Sequence, residues 1–309
     1  MLHDWFERKA FEFGLDHPWF FERMIRPEAY RRACGDPEGV HELALETLNR
    51  YEAVLREHAA DFSFRNLRVD IAGKSVAPFG TAAGMDKNGD ALLPLSHLFG
   101  FMESGTVVVK PREGNARPRV AVGEYGDLYN AQGFPSKGLD YFLENAKRYH
   151  GSGNDAAHLV SVCGLPLGPD ALDTAAEELH ELVTRVGSYA DGFVWNPFSP
   201  NTDALKALRT PHEFRRNAEQ IAKDAPNHLR LAKMGAYEDA TAAEWLDLAN
   251  AWMEGGGQGF VAVNTYPVKK EQVPSESWGY PAAGRSGRFL QPYRDRAIRM
   301  RERNSRRLF

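Results

Sequence analysis

The sequence has only two cysteines, Cys34 and Cys163, among 309 residues. Two thiols so far apart form neither a disulfide framework nor a thiolate cluster, so a reducing compartment is the default and no metal is expected. An excess of one charge is also missing. Lys plus Arg number 38 against Asp plus Glu 42, a formal net charge of −4. That balance argues against a general nucleic-acid binder. No run is long and apolar enough to span a bilayer, and the first residues lack a secretory signal pattern. Internal repeats and low-complexity segments are absent. What is present is 43% hydrophobic, enough to bury a core in one barrel-sized domain or two ordinary ones.

Residues 1–30 are dense in large apolar groups: Trp5, Phe6, Phe11, Phe13, Trp19, Phe20, Phe21 and Met24 among them. Charges are interleaved, and His17-Pro18 breaks the run, which reads as two short amphipathic helices. A pair this apolar must cover something, either the body of the protein or a membrane surface sheltering a lipophilic substrate. Asp36-Pro37-Glu38 reads as a helix start, with Asp as cap and proline at the first helical position. Val40, Ala44, Leu48, Tyr51 and Leu55 keep helical spacing after it. Leu67, Val69 and Ile71 alternate with polar residues before Ala72-Gly73, a hairpin ahead of the main sheet.

From Pro78 onward strands alternate with helices. Strands are read at 79–83, 100–105, 159–162, 192–195, 229–232 and 259–263, with helices at 90–98, through Val186, around Phe214 and Ile221, and around Trp245 and Trp252. Thr174-Ala-Ala-Glu177 and Thr241-Ala-Ala-Glu244 read as capping boxes. The alternation implies a parallel sheet with helices outside. Polar residues recur at the strand ends: Lys87 in the Gly-rich turn Thr81–Gly89, then Thr106, Asn196, Lys233 and Asn264. In a (β/α)8 TIM-type barrel these ends form one mouth, where the chemistry lies.

The stretches Ala82-Ala-Gly-Met-Asp-Lys-Asn-Gly89, Gly105-Thr106, Lys110-Pro-Arg-Glu-Gly-Asn-Ala-Arg-Pro-Arg119, Asn130-Ala-Gln-Gly-Phe134, Asn196-Pro-Phe-Ser-Pro-Asn-Thr202, Lys233, Asn264-Thr265 and Gly284-Arg-Ser-Gly287 carry a resemblance. In order and spacing they resemble the dihydroorotate dehydrogenase family, especially its class 2, quinone-reducing branch. The similarity runs from about Asp36 to Arg288. It implies FMN and the oxidation of (S)-dihydroorotate to orotate, a step of pyrimidine synthesis, with a quinone as acceptor. By position, Ser199 would be the general base for the C5 proton, while the C6 hydride passes to the flavin. Class 1 relatives have cysteine there, so serine favours class 2, as does the N-terminal extension. Lys87, Asn130, Gly133, Phe134, Asn196, Asn201, Asn264 and Thr265 would hold the substrate. Ala83, Gly84, Lys87, Thr106, Ser161, Asn196, Lys233 and Gly287 would hold the flavin. The extension would form the quinone entrance and touch the cytoplasmic side of a membrane as a peripheral contact.

These residue types suit those roles. A serine is a poor base in water and needs a positioned environment that passes its proton onward. Buried amides discriminate because an ill-fitting ligand leaves them unpaired. A cation near the flavin N1–C2=O end stabilises the reduced anion.

The sequence also departs from the family pattern. Ser161 or Val162 stands where an asparagine is usual, and Val263 replaces a threonine. Ala131 and Gln132 replace Arg and Met, Pro135-Ser136 replaces an asparagine pair, and Arg285 replaces leucine. The family continues for two more βα units, whose loops hold the flavin phosphate, whereas about six strands are read here. The expectation is therefore a barrel incomplete at its C-terminal end, in residues 66–309, behind a helical cap in residues 1–65. It could be a shortened product or a barrel completed by a second chain. It could also be a degenerate relative that binds or assembles without catalysis, or an FMN enzyme for another substrate.

Overall fold

The computed structural model describes residues 2–59, 64, 66–199 and 202–303. The apolar N-terminal segment is helical. α1 (Leu2–Asp16) ends at His17, and α2 (Pro18–Phe20), a π-turn over Phe21–Ile25 and α3 (Arg26–Arg32) continue as one run. Pro18 opens that run, where its missing N–H has no helical partner to lose. The face turned outward leaves Trp5, Phe6, Trp19 and Met24 more than half exposed. α4 (Pro37–Arg50) starts as expected, with the Asp36 carboxylate accepting from the Glu38 amide at 3.0 Å. α5 (Glu52–His58) follows. The hairpin of β1 (Val69–Ile71) and β2 (Lys74–Val76) turns at Ala72 and Gly73, φ 55° and 80°. Positive φ at both turn positions matches the right-handed twist of the strands.

The main sheet is parallel, with six strands in strict chain order among the described residues. They are β3 (Gly80–Thr81), β4 (Phe101–Val107), β7 (Ala157–Val162), β8 (Gly192–Trp195), β9 (Leu229–Met234) and β10 (Gly259–Ala262). Helices α6 (Leu92–Ser96), α7 (Leu139–His150), α8 (Ala171–Val186), α9 (Pro211–Asp224) and α10 (Ala242–Glu254) join them. Val160, Val162, Phe193, Trp195 and Ala232 face these helices in one core, in which Trp195 and Trp252 stack at 5.7 Å. Glu103 and Lys233 point to the other side. Their strands are three places apart, roughly 14 Å along a flat sheet, yet Lys233 Nζ lies 3.1 Å from Glu103 Oε1. Only a curled sheet brings them together, so the six strands form an open section of a barrel.

A second sheet, not read in the sequence, lies over the strand ends. β5 (Val120–Val122), β6 (Leu128–Asn130), β11 (Tyr266–Lys269) and β12 (Ala282–Arg285) pair antiparallel in the order β11-β12-β6-β5. Tyr129, Val268, Trp278 and Ala283 form its own small core. α11 (Gln291–Arg303) follows it.

The capping boxes are corrected by the structure. α8 opens three residues before Thr174, at Ala171, because Asp170 takes the cap position and accepts the Thr174 amide through its carbonyl. Thr241 does precede α10, but its hydroxyl bonds back to Glu238 instead of reaching into the helix. β3 is shorter than expected, since Ala82–Gly84 already turns away. Pro94 and the bends before Leu92 shorten α6 in the same way.

Candidate active site

The polar strand ends converge on one cavity of about 690 Å³. Its floor is the curled sheet, one wall is the antiparallel sheet, and the opposite wall is the start of α4. The Gly-rich turn enters after β3. There the buried Asp86 carboxylate accepts the Asp90 and Ala91 amides, both at 2.8 Å, and fixes the turn. Burial raises the Asp86 pKa. The same turn carries Lys87 into the cavity wall, where it makes no hydrogen bond or ion pair to a described residue. Burial pushes its ammonium below the ordinary lysine pKa; Glu38 opposes that shift and Arg119 reinforces it.

A hydrogen-bonded chain crosses the strand ends. The Ser161 and Thr106 hydroxyls lie 2.9 Å apart. Asn196 Nδ2 donates to Thr106 Oγ1 at 2.8 Å, and Asn264 Nδ2 donates to Asn196 Oδ1 at 3.1 Å. Asn264 also donates to the Phe198 carbonyl, while its own oxygen accepts the Thr265 amide at 2.7 Å. A primary amide has two N–H donors and two lone pairs. Asn196 therefore keeps one donor and one acceptor for a ligand, and Asn264 keeps one acceptor. Gly105 lets β4 approach so closely: a Cβ there would lie 2.5 Å from the Ser161 carbonyl, and its φ is 102°.

Of the residues singled out in the sequence, Ala83, Gly84, Lys87, Thr106, Asn130, Gly133, Phe134, Asn196, Ser199, Lys233, Asn264 and Thr265 line this cavity. Ser161 does not; it is fully buried behind Thr106. Gly287 sits one residue beyond the lining Ser286, with its α-carbon against Asp127. Asn201 lies outside the described residues. Asn130 Nδ2 donates to the Gly284 carbonyl at 3.1 Å, tying the two sheet strands that carry it. Phe134 holds φ 57°, an uncommon conformation for a bulky residue.

Several site residues went unread in the sequence. Glu103, a carboxylate inside an apolar strand, pairs with Lys233. His41, on α4, lines the cavity and donates Nε2–H to the Met85 carbonyl at 2.6 Å. Burial, with Lys87 adding to it, lowers the His41 pKa, so its ring is neutral at pH 7. Glu38 lies against Arg119 at 2.8 Å, both buried, and Arg117 adds contacts to Asp36, Glu38 and Glu42. That cluster clamps α4 onto the loop before β5. The signal was available in the acidic spacing 36, 38, 42 and the Arg-Pro-Arg at 117–119, but nothing local joins the two.

The family model for dihydroorotate dehydrogenase matches residues 66–300. The dihydroorotate dehydrogenase (quinone) of Hamiltonella defensa subsp. Acyrthosiphon pisum is 30% identical over 278 residues, covering 86% of this chain and 80% of that protein. The protein of the same name from Psychrobacter sp. is 31% identical over 280 residues, covering 86% and 77%. Among solved structures, the DHODH of Eimeria tenella in complex with ferulenol superposes with a TM-score of 0.70 at 26% identity, over 86% of this chain and 77% of that one. Its ligand-free form gives 0.69 at 25% identity, over 83% and 80%. With strand ends, turn lysine and serine loop arranged around one cavity, and with most of its length matched, this chain belongs to the dihydroorotate dehydrogenase family.

Proposed function

We propose that the protein oxidises (S)-dihydroorotate to orotate in pyrimidine biosynthesis, with FMN as its cofactor and a quinone as the final acceptor. The observation that carries this reading is Lys87: a half-buried ammonium that makes no ion pair to a described residue, in the wall of the cavity that Ser199 and Asn196 also line. A cation so placed calls for an anion, and a substrate carboxylate supplies one. The free donor and acceptor of Asn196 complement the alternating N–H and C=O of a cyclic imide edge, and the spare lone pair of Asn264 accepts a ring N–H. An anionic, planar, imide-bearing ring satisfies all three.

The residues fit the ring end of a flavin. A Cβ on Gly84 would meet nothing within 4 Å, so that turn leaves open space beside it. Ala83, Gly84, Thr106, Asn196 and Lys233 would hold the isoalloxazine, with Ser161 supporting Thr106 from behind. FMN, when bound there, supplies a two-electron acceptor for the substrate hydride. Ser199 removes the C5 proton, and Lys87 and the asparagines fix the ring in a reactive orientation and keep water from its faces. The acceptor would enter between Tyr30, Pro37 and His41, which wall the cavity on the helical side. No helix among the described residues is long and apolar enough to cross a membrane. The exposed aromatic face of α1–α3 suits peripheral contact instead, on the cytoplasmic side. Flotation with anionic vesicles, lost in a Trp5→Ser/Trp19→Ser variant, tests that contact.

The experiment is direct. Bound FMN is read from the visible spectrum and by mass spectrometry of the released molecule, and anaerobic addition of dihydroorotate should bleach the flavin. Ser199→Ala should keep the flavin and lose turnover by at least about 10²-fold, the scale of a general base. Retained turnover would remove Ser199 from the mechanism. A second reading, a relative that binds or assembles without turnover, is favoured by β3 and β10, each with one hydrogen-bonded neighbour among the described residues. Such edges invite pairing by a second chain, which sedimentation at rising concentration would detect. A colourless, folded protein that takes up no FMN would favour this second reading.

A further inference from the structure

We propose that Arg209 is the positioning residue that holds the Ser199 loop in its reactive place. The proposal rests on the reading of Ser199 as the base. The loop has no regular secondary structure at Pro197–Ser199, and Pro197 has no N–H to anchor it. Its carbonyls do the anchoring instead. Arg209 Nε donates to the Pro197 carbonyl at 3.1 Å, and Nη2 donates to the Ser199 carbonyl at 2.9 Å. The carbonyl between them, that of Phe198, accepts from Asn264 Nδ2. Three successive carbonyls are thus held, the outer two by one guanidinium and the middle one by an amide of the substrate site.

The guanidinium also lies over the Phe198 ring, 4.9 Å from its centroid. That ring is packed against Phe214 at 6.1 Å, and a Cβ on Gly235 would stand 2.7 Å from it. Phe198 is therefore confined by aromatic ring, backbone and cation together. Arg209 itself stands on a firm base. It ends the 3-10 helix Asp203–Leu208, whose Leu205 and Leu208 are buried in the main core. The fork is thus mounted on the core, and the loop is hung from the fork. Such support matters for a serine base, because displacing a reacting group by about 1 Å costs on the order of 10²-fold in rate.

Arginine is the residue this job requires. Its planar fork reaches two carbonyls at once while stacking on a ring. A lysine carries its three N–H donors on a single nitrogen and has no flat face, so it cannot bridge the two carbonyls and stack as well. Arg209→Lys keeps the charge and removes the fork, so it separates positioning from electrostatics.

The test compares Arg209→Lys, Arg209→Ala and Ser199→Ala with the unaltered protein. Two readouts are taken: hydrogen exchange at the Phe198 and Ser199 amides in the purified protein, and the rate and KM of anaerobic flavin reduction by dihydroorotate. Both Arg209 variants should exchange at least about tenfold faster at those two amides, with the remaining strands unchanged. Flavin reduction should slow on the order of 10²-fold in Arg209→Lys as well as Arg209→Ala, with the KM for dihydroorotate within about twofold of the original. Unchanged exchange at those amides in Arg209→Lys would overturn the clamp, as would reduction at the original rate in that variant while Ser199→Ala is impaired. Should Arg209→Ala fail to fold, Arg209→Lys decides alone. Loosened amides together with full activity in Ser199→Ala would leave the clamp standing and sink the base assignment, so the two failures are distinguishable.

Discussion

The site depends on a few groups whose behaviour follows from burial. Lys87 has an ammonium that burial pushes below the ordinary lysine pKa, against the pull of Glu38 and with the push of Arg119. A carboxylate ligand favours the protonated form, so binding should be flat with pH up to the lowered value. Above it, affinity should fall about tenfold per pH unit. The break should come below ~10.4, the unperturbed lysine value. Titrating orotate affinity from pH 7 to 10 measures this, and Lys87→Met should remove the break while weakening binding throughout. A flat profile in the unaltered protein would mean that Lys87 does not meet the carboxylate. At this scale the sequence was legible where cavity-lining residues fall in contiguous motifs: Lys87, Ser199, Asn196 and Asn264 stand out in their loops and all line the cavity. Glu103 and Arg209 did not, because each is defined by a partner that only the fold supplies, Lys233 for the first and the 197–199 carbonyls for the second.

Among the elements, α4 is held by the buried Glu38–Arg119 pair. Burial alone would raise the Glu38 pKa, but the Arg119 hydrogen bonds and charge, with Arg117 and Lys87, outweigh it and hold it below the usual carboxylate value. The sign follows directly. Glu38 is depressed in the folded state, so its stabilisation is complete above the unfolded glutamate pKa of ~4.3 and is lost as pH falls through the lower folded value. Arg119→Leu removes one partner of a buried pair and should cost about 3 kcal/mol, read from denaturant unfolding at pH 7. The cost should shrink in acid over that window. An equal cost at pH 7 and pH 3 would show that packing, not charge, clamps α4. The parallel strands were readable because βα alternation is written locally. The antiparallel sheet was not, because its strands are three or four residues long and β6 meets β12 across 154 positions. The Thr174 and Thr241 boxes misled because Asp170 and Glu238 compete for the same bonds.

For the molecule as a whole, the curl of the sheet is tied by one ion pair inside it. Glu103→Leu would strand Lys233 as a buried charge and should destabilise by about 3–5 kcal/mol. The double variant Glu103→Leu/Lys233→Met should recover most of that loss, since no charge is left unpaired. A double variant no more stable than the single one would show that the pair does not set the curl. The order of synthesis gives the Glu38–Arg119 contact another consequence. Its two ends are 81 residues apart, so at ~5–20 residues per second the second end is made about 4–16 s after the first. For that interval the nascent helices, rich in exposed tryptophan and phenylalanine, have no barrel to lie on. The peripheral contact proposed for these helices would have no competitor from their own barrel during that interval.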